Sequence, residues 1–267
     1  MFEKSDVKNG VLRSEAYLTA EYEPEKPVGR EREAQRIARS LKPLARRRQP
    51  ENLLVYGPAG VGKTTCVKHV FDRLEEETRV KAIYINCWQY DTRSSLLTEL
   101  LIQLGYPAPR KGKPVDELLS RIREWLDKNR GIAVVLDEFD QLDGKTEVIY
   151  DLQLLNEEAE HHVGTILVSN RDPASLKLDP RSESRLTIKT LQFTPYSTKE
   201  LIEILDNRVE QAFRPGAVSD EVVERIAGYV AENSGDCREA LKLLLQTGRK
   251  VEEQGCRKIS LSPVETE

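Results

Sequence analysis

The stretch Gly57-Pro58-Ala59-Gly60-Val61-Gly62-Lys63-Thr64 constrains the chain more than any other. A glycine, four further residues and then Gly-Lys-Thr is the spacing of a P-loop. Its flanks agree. Leu53-Leu54-Val55-Tyr56 reads as a short buried strand, and Val67, Val70, Phe71 and Leu74 recur at a helical period behind the loop. Strand, glycine loop, helix is the context in which backbone N–H groups turn inward around a polyphosphate. The helix N-terminus adds partial positive charge there. In such a loop Lys63 reaches the β- and γ-phosphates, and the Thr64 hydroxyl joins a Mg²⁺ shell. A chance glycine-rich turn would not have both flanks in place.

The remaining chain repeats the strand–helix alternation. A helix is expected over 31–45, with Ile37, Leu41 and Leu44 on its inner face, ending in Arg46-Arg47-Arg48. Those arginines suit a helix C-terminus, the plainer alternative to a DNA patch. Strands are expected at Lys81–Asn86, Ile132–Leu136, Thr165–Val168 and Leu186–Leu191, and helices over 94–104, 115–128 and 148–159. The all-apolar run Ile132–Leu136 belongs in the middle of a parallel sheet. The pattern predicts an α/β fold. From Tyr196 onward there are only helical segments, over 197–211, 219–232 and 236–253. Ser197 with Glu200 forms a capping box for the first of them.

The domain reading is therefore an arm over 1–27, a nucleotide-binding α/β domain over 28–195, a small all-α lid over 196–253 and a loose polar tail over 254–267. In the arm, Leu12, Tyr17, Leu18 and Tyr22 are scattered apolar anchors.

Composition narrows the setting. Of the 267 residues 39% are apolar, enough for a core, and the formal net charge is −4, so the overall field gives no reason to expect nucleic acid. Cys66, Cys87, Cys237 and Cys256 are far apart, with no pair at metal-ligand spacing. No apolar run is long enough to span a bilayer. The N-terminus lacks the apolar core of a signal peptide. A soluble cytoplasmic protein without membrane contact is expected.

Asp137 and Glu138 close the buried strand that starts at Ile132. The first carboxylate suits a Mg²⁺ ion, and the second suits an attacking water. Asn170 also ends a strand, where an amide can place that water or simply make a turn.

The order Val28-Gly29-Arg30-Glu31, P-loop, Asp137-Glu138-Phe139-Asp140, Ser169-Asn170, Asp179-Pro180-Arg181, Phe193-Thr194-Pro195-Tyr196, Gly235-Asp236-Cys237-Arg238 resembles an AAA+ ATPase. In detail it is similar to the archaeal Orc1/Cdc6 replication initiators, from about Tyr22 to Val251. Tyr84-Ile85-Asn86-Cys87 and Gly235–Leu241 are the more particular matches. The resemblance implies an ATP/ADP switch with Mg²⁺ and slow hydrolysis, the nucleotide lying between sheet domain and lid. It assigns the phosphates to the loop from Gly57 through Thr65, and the surroundings of the adenine to Val28, Gly29 and Tyr196. Arg208 is assigned to nucleotide from the lid side, Asn170 to sensor 1 and Arg238 to sensor 2. Arg181 or Arg185 is assigned as an arginine finger for a neighbouring subunit's ATP. The residues alone read Arg208 as a surface ion pair.

The pattern departs from the family at Glu183 and Arg185, which leaves the finger open between two arginines. The family's usual winged helix is expected to be missing after Val251. DNA contact is then expected to be weak, because the segment after Cys87 offers little beyond Arg93. Expected partners are duplex DNA, other initiator or replication subunits, and a homo- or hetero-oligomer formed through the finger. The rival reading is a degenerate regulator that holds nucleotide and modulates a full-length partner without touching DNA.

Overall fold

The structure is a computed structural model and describes residues 10–19, 21–107, 113–128, 131–176 and 188–260. It divides into two compact units. One comprises residues 30–58 and 62–193; the other comprises 1–29, 59–61 and 194–267.

The first unit is a five-stranded sheet with helices. Its strands are β1 (Leu53–Tyr56), β2 (Lys81–Asn86), β3 (Ile132–Asp137), β4 (Val163–Ser169) and β5 (Lys189–Gln192). Their order is β2-β3-β4-β1-β5, every pairing parallel. Parallel strands need crossovers, and helices supply them: α2 (Lys63–Glu77), α3 (Arg93–Gln103), α4 (Val115–Lys128) and α5 (Lys145–Glu158), while α1 (Glu31–Leu41) precedes β1 and packs on α2. Every residue of β3 and β4 is buried, which is why both read as continuous apolar runs. The edge strand β2 instead alternates, with Ile83 and Ile85 inward. The core packs these residues against Leu96, Leu97, Leu100 and Leu101 of α3 and Leu118, Ile122 and Leu126 of α4.

Register positions the chemistry. Tyr56 pairs with Ser169 and Asn86 with Asp137, so β1, β3 and β4 release their next residues along one edge of the sheet. That is where ligands sit in open parallel sheets.

The second unit is all-helical at its centre: α6 (Thr198–Ala212), α7 (Asp220–Asn233) and α8 (Cys237–Glu253). The predicted capping box at Ser197 and Glu200 is present, each side chain accepting from the other's backbone N–H. Leu201, Leu205, Phe213, Val223, Ala227 and Leu244 form its core. The N-terminal arm belongs to this unit. A 3₁₀ turn at Glu15–Leu18 puts Leu18 in the helical core beside Val11. Leu12 bridges Phe213, Arg13 N–H donates to Ala212 O at 2.7 Å, and Arg249 pairs with Glu15.

Three expectations are corrected. The first helix stops at Leu41 and continues as a 3₁₀ turn over Lys42–Arg46, because Pro43 has no N–H to give a fourth-preceding carbonyl. The helix expected from Val148 starts at Lys145, behind Gly144 in the left-handed region. The tail is not loose as far as residue 260. Ile259 is 2% exposed, bridges Val218 and donates its N–H to Ala217 O at 2.7 Å. Of the strand expected over 186–191, residues 186 and 187 lie outside the described residues, and β5 runs to Gln192.

Candidate functional site

β1 ends at Tyr56 and the chain enters the glycine loop. Gly57 has φ 152°, and a Cβ there would lie 2.2 Å from Phe193 O, so no side chain fits. Gly62, in the left-handed region at φ 84°, turns the chain into α2, whose first residue is Lys63. Lys63 is 6% exposed. Its Nζ donates to Gly57 O at 2.8 Å, Pro58 O at 2.6 Å and Asn170 Oδ1 at 2.9 Å. A buried ammonium needs such partners, and here they come from the loop itself and from the end of β4.

One helical step on, Thr64 Oγ1 donates to Asp137 Oδ2 at 2.9 Å. The same oxygen accepts the Tyr84 hydroxyl at 2.5 Å, while Asp137 Oδ1 accepts the Glu138 N–H at 2.9 Å. Asp137 is 4% exposed, so a carboxylate this deep requires those donors. Burial and the Asp137 charge hold the Tyr84 hydroxyl well above its ordinary titration range, which keeps it a proton donor.

Glu138 follows in the left-handed region, φ 55°. For a non-glycine residue that conformation costs on the order of 1–3 kcal/mol and clusters at functional positions. Asp140 lies beyond it with a side chain only 4% exposed. Its Oδ1 accepts Ser169 Oγ at 3.1 Å and Asn170 N–H at 3.2 Å. The acidic turn after β3 thereby fixes the end of β4, and with it the amide that meets Lys63.

In the sheet unit, then, Lys63, Thr64, Asp137 and Asn170 converge, with Glu138 adjoining Asp137. Thr65 is the next residue of α2. A hydroxyl and a carboxylate oxygen 2.9 Å apart form the all-oxygen donor set that suits Mg²⁺, which takes one or two protein ligands and completes its shell with phosphate and water. Among the described residues no group of three or more His, Cys, Asp or Glu could hold a metal ion.

The other described candidates lie in the helical unit. Ala59, Gly60 and Val61, the tip of the loop, group with it: Cys237 N–H donates to Gly60 O at 3.2 Å. Val28 is half-buried against the helical core, Gly29 abuts Glu200, and Tyr196 is 5% exposed. Arg238 is exposed in the first turn of α8, its N–H donated to the capping carboxylate of Asp236 at 2.8 Å. Arg208 differs from the surface ion pair that its helix suggests. It is 7% exposed, its guanidinium lies 4.3 Å from the Tyr22 ring centroid, and its Nε has no partner among the described residues. Burial lowers its pKa, partly offset by Tyr22. Arg181 and Arg185 lie outside the described residues.

Tyr84, Asp140 and Tyr22 are the residues that sequence reasoning did not assign. Tyr84 and Asp140 stand inside recognised motifs without a role, and Tyr22 reads only as an apolar anchor. Arg93, the one cation noted after Cys87, is held by Asp151, with Nε–Oδ2 at 2.7 Å and Nη2–Oδ1 at 2.6 Å.

Comparisons with known proteins agree with this architecture. An AAA domain profile matches residues 46–174, and a profile for the Cdc6 AAA+ ATPase-type lid domain matches 202–266. The fold and the P-loop site define an AAA+ ATPase domain. The chain belongs to the Orc1/Cdc6 family of these proteins, homologous to the archaeal members. An ORC1-type DNA replication protein of Pyrococcus abyssi is 33% identical over 273 residues, covering 97% of this chain and 65% of the relative. The Aeropyrum pernix ORC1 protein, solved in complex with DNA, superposes with TM-score 0.79 at 31% identity, covering 94% of this chain and 67% of that one. The Aeropyrum pernix ORC2 protein, solved as ADPNP–ADP complexes, gives TM-score 0.79 at 25% identity, covering 94% and 70%. The chain thus spans about two thirds of the length of these relatives, 65% in the Pyrococcus case. No described helix is long and apolar enough to cross a membrane.

Proposed function

We propose that the chain binds ATP with Mg²⁺ and hydrolyses it slowly, as an ATP/ADP switch in the initiation of DNA replication. The observation that carries this reading is the meeting of Thr64 Oγ1 with Asp137 Oδ2 beside the Lys63–Asn170 pair. Lys63 exchanges its carbonyl partners for phosphate oxygens. Thr64 and Asp137 would hold Mg²⁺, which when bound offsets the negative charge on the phosphates. Glu138 accepts a proton from the attacking water, and Asn170 orients that water. The water oxygen bonds to the γ-phosphorus, the bond to the β–γ bridging oxygen breaks, and ADP and phosphate leave.

The roles of the lid and arm follow from the family. Val28, Gly29 and Tyr196 take the adenine, while Arg208 and Arg238 take the nucleotide from the lid. Arginine suits that work because its charge is permanent and its donors are forked. Arg181 or Arg185 would serve a neighbouring subunit, which makes other initiator or replication subunits the expected partners, in the cytoplasm. The Aeropyrum ORC1 complex supports a DNA contact for this chain too. The Arg93–Asp151 pair favours a weak one, because that cation is already committed. The same pair is what favours the rival reading, a nucleotide-holding regulator of a full-length partner.

Phosphate release by the purified chain, alone and with duplex DNA, tests the proposal. Slow Mg²⁺-dependent release is expected, and retention on duplex DNA that falls with salt supports the DNA arm. Nucleotide binding without any release would favour the regulator.

A further inference from the structure

We propose that Tyr84 is a positioning residue for Asp137, and that it sets the Mg²⁺ concentration at which the site grips a nucleotide. The role rests on the nucleotide-site reading above and adds a member to it.

Asp137 is fixed by donors from three separate elements: the Thr64 hydroxyl of α2, the Tyr84 hydroxyl of β2 and the Glu138 N–H of the turn after β3. Two of them share Oδ2, and the third holds Oδ1. The carboxylate plane is therefore set before any ion arrives. Of the three, the Thr64 hydroxyl is itself a metal-side group, and the Glu138 N–H belongs to the strained turn. Tyr84 is neither a metal-side group nor part of that turn; its hydroxyl also takes a hydrogen bond from Asn86, which leaves its one proton for the carboxylate.

Tyr84 is in turn well held. It sits on the edge strand opposite Val135 of β3, two residues before the Asn86–Asp137 pair, so its side chain emerges on the same face as that of Asn86. Its carbonyl accepts Gln103 Nε2 at 3.0 Å from α3. Lys68 Nζ of α2 stands 4.8 Å from its ring centroid. A phenol donating to a carboxylate forms a short, charge-assisted bond, and 2.5 Å fits that kind. Partners that orient a metal ligand typically change metal affinity by roughly 10- to 100-fold when removed. Losing the hydroxyl leaves Oδ2 with the Thr64 donor alone, a group that itself turns toward Mg²⁺ in the loaded site, so Mg²⁺ must bear the cost of ordering that oxygen.

The test is binding of a fluorescent ATP analogue to the full chain, titrated with Mg²⁺ and repeated in EDTA, for wild type and Tyr84→Phe. The expected result is unchanged affinity in EDTA and a Mg²⁺ midpoint raised about 10-fold. In an Asp137→Asn background, Tyr84→Phe should add nothing, because the residue acts through that carboxylate. A midpoint within twofold of wild type, or a lower one, overturns the role. Equal loss in EDTA and in Mg²⁺ also overturns it, since that is what a merely structural tyrosine produces. A wild-type chain without any Mg²⁺ response removes the nucleotide-site reading and this role together. A wild-type response with an unaltered Tyr84→Phe removes this role alone.

Discussion

Lys63 of the sheet unit and Arg208 of the helical unit are about equally buried and are satisfied in opposite ways. In the sheet unit three charges at the strand ends have polar partners: Lys63 with two carbonyls and Asn170, Asp137 with two hydroxyls and an N–H, Asp140 with Ser169 and the Asn170 N–H. In the helical unit Arg208 is just as deep, yet its guanidinium faces the Tyr22 ring, and its Nε stays unpaired among the described residues. The sheet site is held by short bonds between neighbouring strand ends. The arginine of the helical unit is held by an aromatic face brought from the far N-terminal arm. The first arrangement fixes geometry, and the second leaves a forked donor with bonds still to make.

That contrast can be broken at several points. The largest effect belongs to Lys63→Ala. It removes a buried charge whose bonds to phosphate are worth about 1.5–3 kcal/mol each, so nucleotide affinity measured by equilibrium binding should fall on the order of 100-fold or more. Glu138→Gln keeps the binding. It should slow phosphate release by roughly 10²- to 10⁴-fold, the usual worth of a positioned general base. Leu18→Ala leaves the sheet unit alone and detaches the arm from its buried pocket. A loss of about 2–5 kcal/mol is expected from denaturant unfolding. An arm that merely rests on the surface would lose almost nothing. Tyr22→Ala removes the cation–π partner of Arg208 at a cost of about 0.5–2 kcal/mol. If Arg208 serves the nucleotide, binding weakens in this variant more than in an equally destabilised Leu18→Ala protein.

The smallest effect concerns the thiols. Burial pushes both Cys66 and Cys87 up to about 12, whereas Cys256 is exposed. At pH 8 the two buried groups are almost wholly protonated in the folded protein and regain ordinary acidity on unfolding. Alkylation of the native chain should therefore mark Cys256 well before them, as mass spectrometry of the labelled peptides would read.

Legibility from sequence follows the same division. β1, β2 and β3 are read almost to the residue because each is a local apolar run closed by a distinctive polar residue. The P-loop and Asp137-Glu138 are legible because their chemistry is contiguous in the chain. Tyr84 is not, since its meeting with Asp137 exists only through the β2–β3 register. Asp140 is hidden in the same way, its partners lying at the end of β4. The arm is legible as scattered anchors but not as a piece of the helical core, because Leu18 and Leu201 are separated by nearly the whole sheet unit. Arg208 misleads for a related reason. Its helix is acidic around it, and only the distant Tyr22 shows that the guanidinium points inward.

The proposed function requires the sheet unit to hold a working ATP site with Glu138 as its base. A single-turnover measurement with radiolabelled ATP and Mg²⁺ addresses it most directly, by recovering the nucleotide bound to wild type and to Glu138→Gln. Wild type should retain ADP and Glu138→Gln should retain ATP. Equal conversion by both proteins, or no nucleotide recovered from either, would contradict the account.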